Sequence, residues 1–447
     1  MTFDIFREKV FAEAKDKGFT DFELFYSAAN GFSVRVFKGE IQEYKNSLTE
    51  GVGFRGTYNG KMGYAYSESL DPGIIDGLLE NAKANAGIIE SEDIEELYPG
   101  DPSYPIVDTY NPALDAVSAE EKIAAALNMD KAVTELDSRI KMADYCMFSS
   151  SETSTAIANS HGLNLMQKSN MASAYVIARA EQDGITKSAG EFWQGRDFSE
   201  FDYQKIAETA VAKAIGYLGA ESVETGEYKI VFDNYTAANF FAVFTSVFIA
   251  ERCQKGFSLL SKDRLGEVIA APFVTIRDDG VTDLSLYSKP FDVEGVATQN
   301  KAVIENGVLT NLLYNTKSAK KDGVKSTGNA SKPGFGGALG TSVTNFYLVP
   351  GEKSFDEILA EVGDGLIITG LQGLHSGANP ISGDFSFSAD GFVIENGKKG
   401  RPVEQITVAG NFYELLKNIA IIGNDLRFYQ NFGLPSIAVN GLKVAGK

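Results

Sequence analysis

Histidine and cysteine, the side chains most often used for metal binding and nucleophilic catalysis, are scarce in this chain. Its 447 residues hold two histidines, His161 and His375, and two cysteines, Cys146 and Cys253. Zinc catalysis ordinarily takes three protein ligands and an open position for water. The two histidines fall in different halves of the chain, so a histidine-based zinc site cannot be built from this inventory. A site combining His375 with carboxylates stays open. His375 stands in the stretch GLHSGANP, on a Gly-rich loop ahead of a strand. There it could act as an acid/base or substrate-binding group facing a cleft, or bond a neighbouring carbonyl in a turn. His161, in NSHG, reads as a hairpin-turn residue. Cys253 sits on an apolar segment beside Arg252 and reads as a buried thiol rather than a nucleophile. Cys146, in the strand-like ADYCMF, has no catalytic context, and no Gly-x-Ser-x-Gly elbow marks a serine hydrolase.

Two carboxylate pairs, Asp278-Asp279 and Asp292/Glu294, have the residue types of acid/base catalysis. Placed so closely in sequence, beside Gly and Pro, they are expected to be turn formers and solvated loop ends. The Gly-rich run KPGFGGALG, residues 332–340, lacks the Gly-Lys-Ser/Thr ending and following helix of a phosphate loop. It is expected to be a mobile loop beside a cleft or a plain surface connection.

These residues need elements to hold them, and the hydrophobic pattern supplies two halves. The first opens with a helix over 4–17. Strands are expected at 22–28, 32–37, 41–46, 51–58 and 61–67, joined by turns at Lys38-Gly39-Glu40 and Asn59-Gly60. Asp71-Pro72 suits the start of a helix reaching about residue 87. The acidic, Pro-rich text at 90–112 reads as a long loop, and Ser118 with Glu121 forms a capping box for a helix to about 136. Strands fill 140–192, and a helix over 202–218 closes the half. A polar linker at 219–226 places the domain boundary, giving domains 1–222 and 223–447. The second half starts with a strand at 228–233 and a helix over 235–253 that is apolar nearly all round, hence buried. Strands and glycine turns follow, with short helices at 355–361 and 411–418. Phe385 and Phe387 alternate with Ser386 and Ser388 as in a strand with one apolar face, and Asn396-Gly397 supplies a turn. The expected fold class is α+β with two domains: antiparallel sheets flanked by helices, then a mainly-β domain around a buried helix.

Composition bounds the function. The chain is 44% hydrophobic and 11% aromatic, enough to bury two cores. No apolar run is long enough to span a membrane, the N-terminal text is a charged amphipathic helix, and two cysteines make no disulfide framework. The reading is a cytoplasmic protein. A net charge of −19, from 41 basic and 60 acidic residues, repels phosphate backbones and argues against a nucleic-acid ligand.

A set of segments extends this reading. GLQGLHSGANPISGDFSFSADGFVIENG follows, in order, Asp278-Asp279, PFDVEGV at 290–296, ENGVL at 305–309 and STGNA at 326–330. After it come TVAGN at 407–411, IGNDLR at 422–427 and LPSI at 434–437. In order and rough spacing this set resembles the TldD/PmbA proteins over about 226–446, and the first half resembles them more loosely. The family comprises metallopeptidases once called modulators of DNA gyrase, and the chain resembles its PmbA/TldE-type branch. The zinc-bearing branch carries HExxxH on the first helix of the C-terminal domain, plus a late cysteine. Here the matching helix has no histidine and Glu251 as its one carboxylate, and 427–433 has no cysteine. The resemblance therefore implies a dimer in which a TldD-type subunit holds zinc. This chain, with no cofactor or catalytic residue of its own, would complete a chamber for proteolysis and maturation of unfolded or small peptides. Self-association as a homodimeric peptide-binding or regulatory protein, and a peptidase with a non-standard site, are the alternatives. Substrate-facing positions expected from polar side chains beside Gly or Pro are Asn329, His375, Asn379, Asp384 and Asn411.

Overall fold

A computed structural model describes residues 1–88 and 95–447. The first half is one antiparallel sheet built from strands far longer than the glycines in the sequence suggest. These are β1 (Phe22–Phe37), β2 (Glu40–Tyr58), β3 (Lys61–Ser67), β4 (Ile140–Asn159), β5 (Asn164–Gln182) and β6 (Ile185–Gly195), in the order β3-β2-β1-β4-β5-β6. The expected breaks at 29–31 and 47–50 do not exist. Gly31 pairs with Ser47 inside the ladder, and a Cβ at Gly31 would lie 2.8 Å from Ser47 Oγ. That glycine permits a close approach and is not a turn.

Helices cover this sheet. α1 (Phe3–Asp16) and α2 (Ile75–Ile88) bury Phe6, Val10, Leu78 and Leu79 with Leu24 and Phe54. A short α3 (Pro112–Asp115) precedes α4 (Ala119–Glu135), which starts at the expected Ser118/Glu121 capping box. α4 and α5 (Tyr203–Gly216) bury Met129, Val133, Ala207 and Ala210 with Phe148 and Val176. Of the expected loop at 90–112, residues 90–94 lie outside the described residues; 95–111 run without regular structure and bond back to the sheet through Asn170.

The second half is mainly strands around a helix. β7 (Gly226–Phe232) leads into α6 (Asn234–Phe244), and β7 runs parallel to the strand Gly365–Gln372 and antiparallel to Ile437–Ala445. Strands Asp384–Glu395 and Lys398–Asn411 extend this sheet, and pairing of the latter with Ile437–Ala445 closes it into a barrel. α6 is buried against it. Phe240 packs on Phe232, Phe385 and Phe387, and Phe244 stacks on Phe412 at 4.4 Å. The helix is shorter than its apolar pattern predicts. It ends at Phe244, becomes a 3-10 turn over Thr245–Phe248, and extends at Ile249 before a last turn at Ala250–Gln254. The segment is β-branched and aromatic, and its backbone bonds Leu313 instead of continuing the helix: Leu313 N–H reaches the Phe248 carbonyl and Ala250 N–H the Leu313 carbonyl, both at 2.9 Å. A second sheet, including Ile276–Asp279 and Asn300–Glu305, packs on the same core. No helix among the described residues is long and apolar enough to cross a membrane.

Candidate functional site

Three of the five polar positions singled out in the sequence meet at one corner of the barrel. Asn411 caps the helix Phe412–Asn418 through Oδ1, and its amide donates to Asp384 Oδ1 at 2.9 Å and to the Ser382 carbonyl at 2.8 Å. Asn379 Oδ1 accepts from Ile381 N–H at 3.0 Å, and its own N–H reaches the Asp384 carbonyl at 2.8 Å. Asp384 is exposed, and its hydrogen bonds from Asn411 and Ser382 hold its carboxyl below the usual range. His375 lies on the preceding turn, exposed, with no protein partner for its ring among the described residues. Asn411→Ala removes a helix cap and two amide bonds together. It should cost about 1–2 kcal/mol, measured as a lower urea midpoint.

Asn329 is placed elsewhere and differently. It is buried, and its amide donates to Asp278 Oδ2 at 2.7 Å and to the Ser342 carbonyl at 2.9 Å. Its surroundings correct the expectation of solvated carboxylates: Asp278, Asp279, Asp292 and Glu294 are all buried. Asp278 pairs with Lys301 at 3.1 Å and accepts from Thr344 N–H. Asp292 does form a turn, accepting from the N–H groups of Glu294, Val296 and Ala330 at 2.9–3.0 Å. Glu294 accepts from Thr316 and faces Arg55 of β2, whose Nε bonds Glu23 Oε1 of β1 at 2.7 Å. Burial pushes Asp292 up to about 6, against its three N–H donors, and burial plus Asp292 pushes Glu294 up to about 7. This network fastens the two halves together.

The Gly-rich run at 332–340 completes that seam and is not a free connection. Phe335 packs against the buried cluster of Phe25, Ile157, Leu163 and Phe291. Gly53 makes room for it, since a Cβ there would sit 2.3 Å from the Phe335 carbonyl oxygen. Lys332 Nζ lies over the Phe25 ring at 5.2 Å, and burial, with Arg55 nearby, pushes it down to about 8.

A cavity of about 720 Å³ lies between the halves. β6 lines one wall, and the start of α6 with strands of the barrel lines the other. Asp233 caps α6 by accepting from Thr236 N–H at 2.7 Å; burial, with Asp425 nearby, pushes its carboxyl up. Asp390, held by Gln372 at 3.0 Å, is likewise raised by burial. Tyr429 donates to Asn234 at 2.7 Å, and Tyr217 and Thr369 share a hydrogen bond of 2.6 Å. Ion pairs bridge the halves at both ends: Lys187 with Glu404, and Arg427 with Glu191 at 2.8 Å. Burial opposes ionisation of Glu191, yet Lys213 and Arg427 hold it below the usual range. The partners in these pairs stand more than 200 positions apart, so no local sequence signal could have shown that the two walls meet.

Models of the PmbA/TldA metallopeptidase family match domain 1 over residues 22–86, the central domain over 112–218 and the C-terminal domain over 225–446. The chain belongs to the PmbA/TldD family. An Escherichia coli O157:H7 relative, metalloprotease PmbA, is 28% identical over 431 residues, which is 95% of this chain and 92% of that one. The crystal structure of a proposed DNA gyrase modulator from Thermotoga maritima superposes with a TM-score of 0.92 at 32% identity, covering 99% of this chain and 100% of the other. TldE from Thermococcus kodakarensis shares the fold, with a TM-score of 0.91 at 24% identity over 99% of this chain and all of that one.

The PmbA/TldD name raises the question of a metal, and the residues of this chain do not fit one at the resembling helix. From 234 to 254 the side chains include Asn239, Thr245, Ser246, Glu251 and Cys253, with no histidine. Glu251 is paired with Lys255 at 2.6 Å. Cys253 Sγ donates to the Val247 carbonyl at 3.3 Å, and burial pushes the thiol up to about 11, so it is held as a neutral donor. His161 is occupied at the β4–β5 turn, with Nε2 2.9 Å from Asp21. Among the described residues no three His, Cys, Asp or Glu side chains are grouped to hold a metal ion.

Proposed function

We propose that this chain is the PmbA/TldE-type subunit of a two-component zinc peptidase. In this reading a TldD-type partner carries the metal, and this chain completes the chamber in which unfolded or small peptides are degraded or matured. One observation carries it: the helix resembling the metal-bearing helix of the other branch is present and buried in a family fold, yet offers an apolar surface, a paired glutamate and a neutral thiol. The chain's work is then to shape the chamber and hold substrate. His375, Asn379, Asp384 and Asn411 are the side chains proposed to face it. Asn329 supports from inside by fixing Asp278. Two unpaired cysteines suit a reducing cytoplasm, and the acidic surface suits a peptide partner better than DNA.

The test is cleavage of an unstructured peptide by this chain, by the TldD-type chain of the same organism, and by the two together. Activity in the mixture alone supports the reading. Cleavage by this chain alone overturns it.

A further inference from the structure

Large apolar side chains scattered singly over a surface need no explanation. One stretch of this chain departs from that pattern. Phe257, Leu259, Leu265, Val268 and Phe273 are between 38% and 68% exposed, and no other run of that length among the described residues holds as many. The stretch is not a loose loop. Gly266 N–H reaches the Leu309 carbonyl at 2.8 Å, Leu309 N–H returns to the Glu267 carbonyl at 2.9 Å, and Ala271 N–H bonds the Leu416 carbonyl at 3.0 Å. A backbone fastened at three points holds these side chains out in water, where only another molecule can bury them.

The face continues into the polar corner of the barrel. The Tyr413 ring packs against Gly383, where a Cβ would sit 2.6 Å from it, and the Tyr413 hydroxyl lies beside Ser258 and Leu259. Ile381, two residues before Gly383, is exposed as well. Asn379, Asp384 and Asn411 therefore stand at the margin of the apolar stretch. An apolar centre with a polar border is the anatomy of a protein interface.

Size and charge select the occupant. The five side chains leave on the order of 400 Å² of apolar surface in water, as large as the largest patch a monomer usually carries. Two such faces sealed together would bury about 1,400 Å² in all once the usual polar share is added, the size of a stable complex. The whole chain, at −19, repels a second copy of itself. Between residues 251 and 273 the balance differs: Arg252, Lys255, Lys262 and Arg264 outnumber Glu251, Asp263 and Glu267, a net of +1. Here two acidic copies can meet without like-charge repulsion, and the mixed charges can pair across a two-fold axis.

We propose that residues 257–273 form a self-complementary docking face through which two copies of this chain associate about a two-fold axis. Each copy's polar corner then lies at the rim of the contact and is walled on one side by the other copy. This goes beyond the two-subunit reading, which names a different chain and no contact surface.

Sedimentation velocity on the full chain alone, from about 0.1 to 100 μM, measures the association. The wild type should dimerise with a Kd of about 10 μM or below. Leu259→Asp and Phe273→Asp place a charge at exposed positions, so the fold should be kept, as thermal melts by circular dichroism check. Each should weaken the dimer at least about tenfold. Met166→Asp, at another exposed apolar side chain but on β5 of the first half, should leave the dimer unchanged. A wild type that stays monomeric across the range overturns the proposal. So does a dimer that Leu259→Asp and Phe273→Asp leave intact, or that Met166→Asp breaks equally. Neither result touches the two-subunit reading, because no TldD-type chain is in the cell; conversely, a mixture that fails to cleave would leave this association intact.

Discussion

Arg55→Ala is expected to remove about 3–5 kcal/mol of folding stability, among the largest losses any single substitution should cause here. Arg55 is 7% exposed, and the carboxylates it faces, Glu23 and Glu294, are 3% and 1% exposed. Its Nε bonds Glu23 at 2.7 Å and its Nη1 lies 3.9 Å from Glu294. Replacing it leaves two buried carboxylates without their cation, and the cost comes from that uncompensated charge more than from lost packing. Because Glu23 and Arg55 belong to the first half and Glu294 to the second, the damage should include loosening of the seam between them. Urea unfolding followed by tryptophan fluorescence and by circular dichroism measures both effects. A loss below about 1 kcal/mol would show that the network is solvated and that the seam is held by packing alone.

The second large effect is a pH dependence located at Glu294. Its folded value, about 7, stands above the ordinary value of 4.5. The native state therefore favours the protonated carboxyl, and the associated stabilisation is full below about pH 4.5 and disappears as pH rises through about 7. Asp292, raised to about 6, acts in the same direction over a lower window. The chain should therefore unfold at higher urea near pH 5.5 than near pH 8, and Glu294→Gln, which keeps the shape without the charge, should flatten much of that difference. The two predictions are linked. Without Arg55, Glu294 is pushed higher still, so Arg55→Ala should be less damaging at pH 5.5 than at pH 8. An unchanged pH slope in Glu294→Gln would contradict the assignment.

Local chemistry was legible in the sequence wherever the deciding partners are neighbours. Ser118 with Glu121 caps a helix because the pair closes within one turn. Asn396-Gly397 turns because both residues accept left-handed φ. Asn379, Asp384 and Asn411 converge because one glycine-rich hairpin carries two of them and the next strand returns with the third. Reading failed where the partner is remote. Gly31 looked like punctuation because its neighbour Ser47 lies across a ladder. Asp292 and Glu294 looked like solvated turn residues because Arg55 and Glu23, more than 200 positions earlier, are invisible to a local pattern. α6 is shorter than its apolar pattern implies because apolar periodicity reports burial, while the backbone of 248–250 has another partner in Leu313. The cavity along β6 takes Asp390, Asp425 and Ser436 from segments the sequence singles out, but its opposite wall comes from the first half, joined by ion pairs remote in sequence.

The central claim is a division of labour: this chain shapes and holds, and its partner supplies the metal. The most direct measurement is metal content by mass spectrometry, alongside peptide cleavage, on each purified chain and on the reconstituted pair. The account predicts one zinc per pair, lost when the histidines of the partner's HExxxH are substituted, with cleavage in the pair alone and metal-free protein for this chain by itself. Stoichiometric metal bound by this chain alone, with cleavage that His375→Ala abolishes, would contradict it.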